Sequence, residues 1–211
     1  MDRHKHIVAQ RERGAALVFA LCLLVAILLL GVSAAQMALQ GERSARGERD
    51  RQIAFQAAEE ALMDAEHDIE GEGSPGAPGR SSLFAADSAA GFAEGCAGGE
   101  PGLCLPAASG APPVWLSKDL GLADSAAGTV AYGQFTGASM QTGAGFLPFR
   151  RPRYLIELLP FHRPGEEAGA SAGEPAAGYL YRVTAIGFGA QEDTQVVLQT
   201  FYRKQAAGEA P

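Results

Sequence analysis

Little in this sequence is built for catalysis or for binding polyanions. Among 211 residues there are 4 histidines and 3 cysteines, aromatic residues make up 8%, and the formal charge is -7. No basic stripe offsets that acidity, which excludes nucleic acid as an expected partner. There is no G-x-x-x-x-G-K-S/T phosphate loop, no G-x-S-x-G nucleophile elbow and no H-E-x-x-H pair. Gly187-Phe188-Gly189 is too short for a dinucleotide fingerprint and reads as hairpin chemistry. His67 stands between Glu66 and Asp68, but adjacent helical residues point in different directions and do not converge on a metal. The expectation is a chain with no catalytic residue, no metal and no cofactor. Plentiful alanine and glycine (27 Gly) with few aromatics suggest long coil stretches and a small core.

Charge is also missing where it matters most. Residues 15–41 carry none, and residues 15–32 are almost entirely Ala, Leu, Val, Ile and Phe, roughly the length that crosses a bilayer's hydrocarbon core. A short hydrophilic segment with Arg3, Lys5, Arg11 and Arg13 precedes this run and ends in Gly14. An ordinary secretory signal has an apolar core of about 7 to 15 residues, shorter than this one. A plain signal anchor remains open, and its orientation is undecided, because Arg43, Arg46, Arg49 and Arg51 follow the span as four Lys/Arg precede it.

Beyond the span, residues 42–70 stay helix-favouring and contain no proline. Ala54, Ala57, Ala58, Ala61, Ala65 and Ile69 recur at spacings of three and four, a narrow apolar stripe. Residues 15–70 as one helix would extend roughly 80 Å at 1.5 Å per residue. Gly31, Gly41 and Gly47 are the expected points of bending. Charge along this helix changes from the arginines near the span to Glu59, Glu60, Asp64, Glu66, Asp68 and Glu70. The expectation is a solvated face; Arg150, Arg151 and Arg153, or a basic partner, would offset its conflict with the helix dipole.

Residues 71–113 are rich in Gly, Ala, Pro and Ser and read as an irregular connection with one short helical turn near residues 83–90. Cys96 and Cys104 lie within it as C-x7-C, which in an exported chain reads as a disulfide closing a short loop, with free thiols as the alternative. Zinc pairs are spaced more closely and come with further ligands. Cys22, in the apolar run, reads as a small hydrophobe. Trp115, beside Pro112 and Pro113, reads as a packing anchor. Strands are expected over residues 154–159, 179–188 and 194–202, with a weaker one over 129–135, and residues 164–178 as a solvated excursion. The fold class is α+β: a long helix packed on a small antiparallel sheet, whose faces are both covered.

The stretch Arg11-Glu12-Arg13-Gly14-Ala15-Ala16-Leu17-Val18 resembles the type IV prepilin junction. That resemblance implies cleavage after Gly14 by a prepilin peptidase on the cytoplasmic side, and a new, N-methylated terminus at Ala15. Within the pilins, Arg51-Gln52-Ile53-Ala54-Phe55-Gln56-Ala57-Ala58-Glu59-Glu60-Ala61-Leu62 resembles the PilX-type minor pilins. Gly102-Leu103-Cys104 with Pro112-Pro113-Val114-Trp115 resembles the cysteine loop of that family. Tyr181-Arg182-Val183-Thr184 and residues 196–203 resemble its last strands. The implied organisation is a leader over 1–14, a transmembrane half over 15–40, an amphipathic half over 41–70, a loop region over 71–128, a β-sheet head over 129–204 and a tail over 205–211. It also implies a single-pass inner-membrane protein with a periplasmic head, later part of a surface pilus used for adhesion or twitching motility. Partners implied are other minor pilins, the major pilin, the peptidase and a large tip-associated adhesin.

One position departs from the pattern. Most pilins carry a glutamate at the fifth mature position, where it pairs with the terminal ammonium of a neighbouring subunit; here that position is Phe19, and no carboxylate occurs in the span. An unpaired ammonium in hydrocarbon is costly, so this subunit is expected at or near the fibre tip, initiating assembly. A type II secretion minor pseudopilin and a signal-anchored periplasmic binding protein are the competing readings.

Overall fold

The computed structural model describes residues 3–85, 88–96, 98–121, 128–161 and 178–204, with side chains from residue 14 onward. The chain divides into two units, Met1–Glu48 and Arg49–Pro211. A single helix, α1 (Arg3–Glu70), stays hydrogen-bonded through Gly31, Gly41 and Gly47. Its end is set by Gly71, which adopts φ 83° while the amides of Gly71 and Glu72 both donate to the His67 carbonyl at 2.8 and 2.9 Å. A left-handed residue at this place lets two amides satisfy one of the helix's last carbonyls, and glycine adopts that conformation without penalty.

In the second unit α1 lies on a mixed sheet. A 3-10 turn (Ser81–Leu83) is followed by β1 (Ala93–Glu94), β2 (Leu103–Leu105), the one-turn helix α2 (Val114–Ser117), β3 (Val130–Ala131), β4 (Arg153–Phe161), β5 (Gly178–Phe188) and β6 (Gln195–Tyr202). The order across the sheet is β1-β2-β4-β5-β6, with β3 paired to β4. The three long strands form an antiparallel meander, as the alternation of their residues predicts. The sheet is not wholly antiparallel: β1 pairs parallel with β2, and β2 parallel with β4. These two short strands come from the Gly/Pro-rich connection, where two or three residues leave too little alternation to announce a strand. The weak strand expected over 129–135 shrinks to β3. The excursion expected from residue 164 and the tail from 205 lie outside the described residues, up to the start of β5.

Over β2, β4 and β5 both faces of the sheet are covered, by different layers, whereas Val197 and Phe201 of β6 stay exposed. Leu103, Val130, Tyr154, Ile156, Leu158, Tyr181, Val183 and Ala185 pack with Ala61, Ala65 and Ile69 of α1 and with Phe84 and Phe92. Phe84 meets Phe92 and Tyr181 edge-on at 6.0 and 5.4 Å between ring centroids, contacts worth about 0.5 to 1.5 kcal/mol each beyond burial. On the far face Cys104, Leu155, Ile186 and Phe188 pack with Cys96, Val114 and Leu120, and Trp115 and Phe149 lie against them.

The helix approaches the sheet closely because neither surface carries bulk at the crossing. Ala54, Ala57, Ala58, Ala61 and Ala65 form the buried stripe, as their spacing predicts. Facing them is Gly187, where a Cβ would collide with the Ala54 carbonyl oxygen and the Ala58 amide nitrogen. Gly187 therefore lies inside β5, within the strand expected over residues 179–188, as a contact residue, and of the Gly187-Phe188-Gly189 triplet only Gly189 belongs to the hairpin. The hairpin begins at Gly189, whose amide donates to the Thr194 carbonyl at 2.8 Å.

Candidate functional site

Gly14, Ala15 and Phe19 all lie on α1 in the first unit. Ala15 and Phe19 are one turn apart on one side of the helix, and Phe19 is 77% exposed. The apolar run reaches a mean hydropathy of 3.1 over 18 residues with none of that window buried, which makes it a candidate membrane span by length and composition. Its next charged residues are Glu42 and Arg43, and Glu42 pairs with Arg46 across one turn.

In the second unit α1 is fixed to the head through aspartates set among its alanines. Asp50, Asp64 and Asp68 are buried on the same side as Ala54, Ala57, Ala61 and Ala65. Asp50 Oδ1 accepts from the amides of Ala190 and Gln191 at 2.5 and 3.2 Å and so holds the β5–β6 turn. Asp64 accepts from the Gly133 amide at 2.8 Å and from the Thr136 hydroxyl. Asp68 is held by Arg80, with Nε and Nη2 donating to Oδ2 at 3.0 and 2.7 Å, and by the Tyr154 hydroxyl at 2.9 Å. Arg80 also donates to the Pro101 carbonyl at 2.5 Å and lies 3.8 Å from the centre of the Phe135 ring.

The acidic half of α1 is thus not uniformly a solvated face. Glu59, Glu60 and Glu70 are exposed, whereas Asp64 and Asp68 are bound inside. Among the described residues the counter-ion of Asp68 is Arg80, while Arg150 lies over the Phe149 and Phe188 rings and Arg153 donates to Thr129. Lys204 Nζ donates to the Ile69 carbonyl at 2.7 Å, placing a cation at the helix C-terminus, where the dipole favours one.

Burial sets the protonation of this network. It pushes the Asp64 carboxyl above its ordinary 3.8, against the lowering effect of the bonds from Thr136 and Gly133. It also holds the Tyr154 hydroxyl well above 10, with the Asp68 charge adding to the shift, so Tyr154 remains a donor. A carboxyl whose native pKa is raised binds its proton more tightly when folded. Its contribution is fully present below 3.8 and is lost as pH rises through the native value. Asp64→Asn keeps the shape without the charge, so the wild type is expected to lose stability relative to it as pH rises above 3.8. Urea midpoints over a pH series read this; a constant difference contradicts it.

Cys96 and Cys104 form a disulfide with Cα atoms 4.3 Å apart. The bond ties β2 to the turn after β1, and by the chain-entropy argument closing so short a loop contributes about 2 to 3 kcal/mol. Cys22 is free. His67 is exposed, 3.9 Å from Glu72, and among the described residues no group of three or more ligating side chains converges.

The surface beside α1 holds an open trough of about 420 Å³ between Ile53, Gln56 and Glu60 and the segment carrying Tyr132, Met140 and Phe146. A second hollow follows along Glu59, Leu62 and Met63. Phe146 is 72% exposed at the rim, and the Arg49 guanidinium lies 5.1 Å from the centre of its ring. Such a groove suits a surface that packs against another protein rather than one that encloses a small substrate. Of the residues that the sequence singles out, Gly14, Ala15 and Phe19 lie on the first part of α1, the alanine stripe lies against the sheet and the two cysteines are joined. The aspartates carry a signal in the sequence too: 50, 54, 57, 61, 64 and 68 share one helical period.

Residues 13–62 match the family model described as PilX N-terminal, and residues 100–204 match the model described as Type IV pilus assembly protein PilX C-term. No curated protein and no solved structure gives a significant match.

Proposed function

Since the chain belongs to the PilX family of type IV pilus assembly proteins, we propose that this minor pilin acts at or near the pilus tip and helps to initiate assembly. In this reading the prepilin peptidase cuts after Gly14 and the new terminus at Ala15 is N-methylated. The apolar helix anchors the subunit in the inner membrane with its head in the periplasm until it joins a priming complex of minor pilins. The major pilin then adds beneath it, and a large adhesin is its partner at the tip. The role is structural, without catalysis. The trough beside Ile53, Glu60 and Phe146 is available to a neighbouring subunit.

The observation that carries the tip position is Phe19. A subunit without a carboxylate there has nothing to receive another terminal ammonium inside the apolar bundle, where an unpaired charge is expensive. The first place in the fibre is the one at which no such ammonium must be received. Gold-labelled antibody against the head is expected to mark one end of sheared pili, and Phe19→Glu to let label enter the shaft. Wild-type label spread evenly along the fibre contradicts the proposal. The family match sets aside the pseudopilin reading.

A further inference from the structure

Beyond residue 48, α1 carries two stripes at the three-and-four spacing of a coiled-coil seam. Residues 50, 54, 57, 61, 64 and 68 form the first, which is buried against the head. Arg49, Ile53, Gln56, Glu60 and Met63 form the second, which the head leaves open: Gln56 and Glu60 are exposed and Met63 is 54% exposed. Ile53, Gln56 and Glu60 line the trough, and Gln56, Glu60 and Met63 line the hollow that continues it. The open path therefore follows α1 from residue 53 to residue 63, about 15 Å at the rise of a helix.

Apolar side chains and one sign of unpaired charge define this path. Its other wall carries Met140 and Phe146, and from residue 132 to residue 149 the chain has no charged side chain. The charge of the trough is thus set by α1 alone. At one end the Arg49 guanidinium is already engaged by the Phe146 ring. At the other stand Glu59 and Glu60, both exposed. Among the described residues no cation pairs with either, and Glu60 meets only the Tyr132 hydroxyl at 3.5 Å.

A segment that fills the path must bring apolar side chains to Ile53, Met140 and Phe146 and a cation to the two glutamates. The spacing of the open stripe fits a second helix, whose own side chains would interleave with it turn by turn. We propose that the trough seats the spine helix of the subunit that adds beneath this one, a different chain with lysine or arginine where its helix passes Glu59 and Glu60.

Charge excludes a second copy of this chain from the place. The proposal rests on the tip reading, in which a neighbour is set back toward the membrane and so presents residues further along its own helix. A copy set back by roughly 9 to 16 Å would bring its Glu66 or Glu70 against Glu59 and Glu60. A copy in register would set Glu59 and Glu60 against themselves. Like charges placed together in an interface cost several kcal/mol, which makes the glutamates a selector of partner more than a source of affinity.

The test is photo-cross-linking in cells, with p-benzoylphenylalanine placed at exposed Gln56 of the full chain. The expected product joins it to the spine helix of another pilin-type subunit, at a site mapped by mass spectrometry next to a lysine or arginine. The same photoprobe at Leu116, which is 65% exposed outside the trough, is expected not to capture that subunit. Glu59→Lys with Glu60→Lys should lower the yield at Gln56 at least about tenfold, the effect of 1.4 kcal/mol, and reversing the mapped basic residue of the partner to glutamate should restore it. A product with a second copy of this chain, equal capture at Leu116, or a yield indifferent to the charge reversal overturns the proposal. The N-terminus of the same protein separates the two readings. Methylated Ala15 without a cross-link at Gln56 overturns the trough partner alone, whereas an intact Met1 overturns the pilin reading beneath it.

Discussion

Replacing Gly187 with valine is expected to destabilise the head by at least about 3 kcal/mol, the upper end of what overpacking costs. The substitution adds bulk where a single Cβ already meets the Ala54 carbonyl oxygen and the Ala58 amide nitrogen. Backbone atoms of a helix cannot turn aside as a flexible side chain can. Either α1 lifts off β5 along Ala54, Ala57 and Ala58, or β5 shifts and carries β6 with it. Both changes expose the stripe that joins helix to sheet, so a lowered urea midpoint should accompany faster proteolysis near residue 50. A Gly187→Val protein with wild-type stability would show that the helix does not approach the sheet this closely.

The second large effect is expected at Arg80. Arg80→Ala leaves Asp68 buried with the Tyr154 hydroxyl as its remaining side-chain partner among the described residues, and an uncompensated buried charge typically costs about 3 to 5 kcal/mol. Arg80→Met with Asp68→Asn removes both charges and keeps the volumes similar. The double variant should therefore be more stable than Arg80→Ala, since breaking a buried pair costs more than replacing it. If Arg80→Ala unfolds at the wild-type urea concentration, the pair does not hold α1 to the head.

These two residues mark the limit of what the sequence makes legible. The long helix, the alanine stripe, three of the strands and the cysteine pair follow from periodicity and spacing, because each repeats a local rule over many residues. The role of Gly187 does not: the strand expected over residues 179–188 includes it, but only the crossing of α1 and β5 gives its missing side chain a role. Arg80 stands in a glycine-rich connection with no pattern around it, twelve residues from Asp68. β1 and β2 were hidden for a related reason. Their pairing is parallel and distant in sequence, and two or three residues cannot show alternation. Sign alone does not sort the charges along α1. Period separates Asp64 and Asp68, which turn inward, from Glu59, Glu60 and Glu70, which do not.

The N-terminal junction is what separates a pilin from other anchored proteins. Stability of the head would be the same in any protein with this fold, and an apolar helix of this length anchors many unrelated chains. Processing distinguishes them. Mass spectrometry of the N-terminal peptide of the mature protein is the most direct measurement: a chain beginning at N-methylated Ala15 is predicted, and an intact Met1 or a terminus near Ala35 would contradict the account.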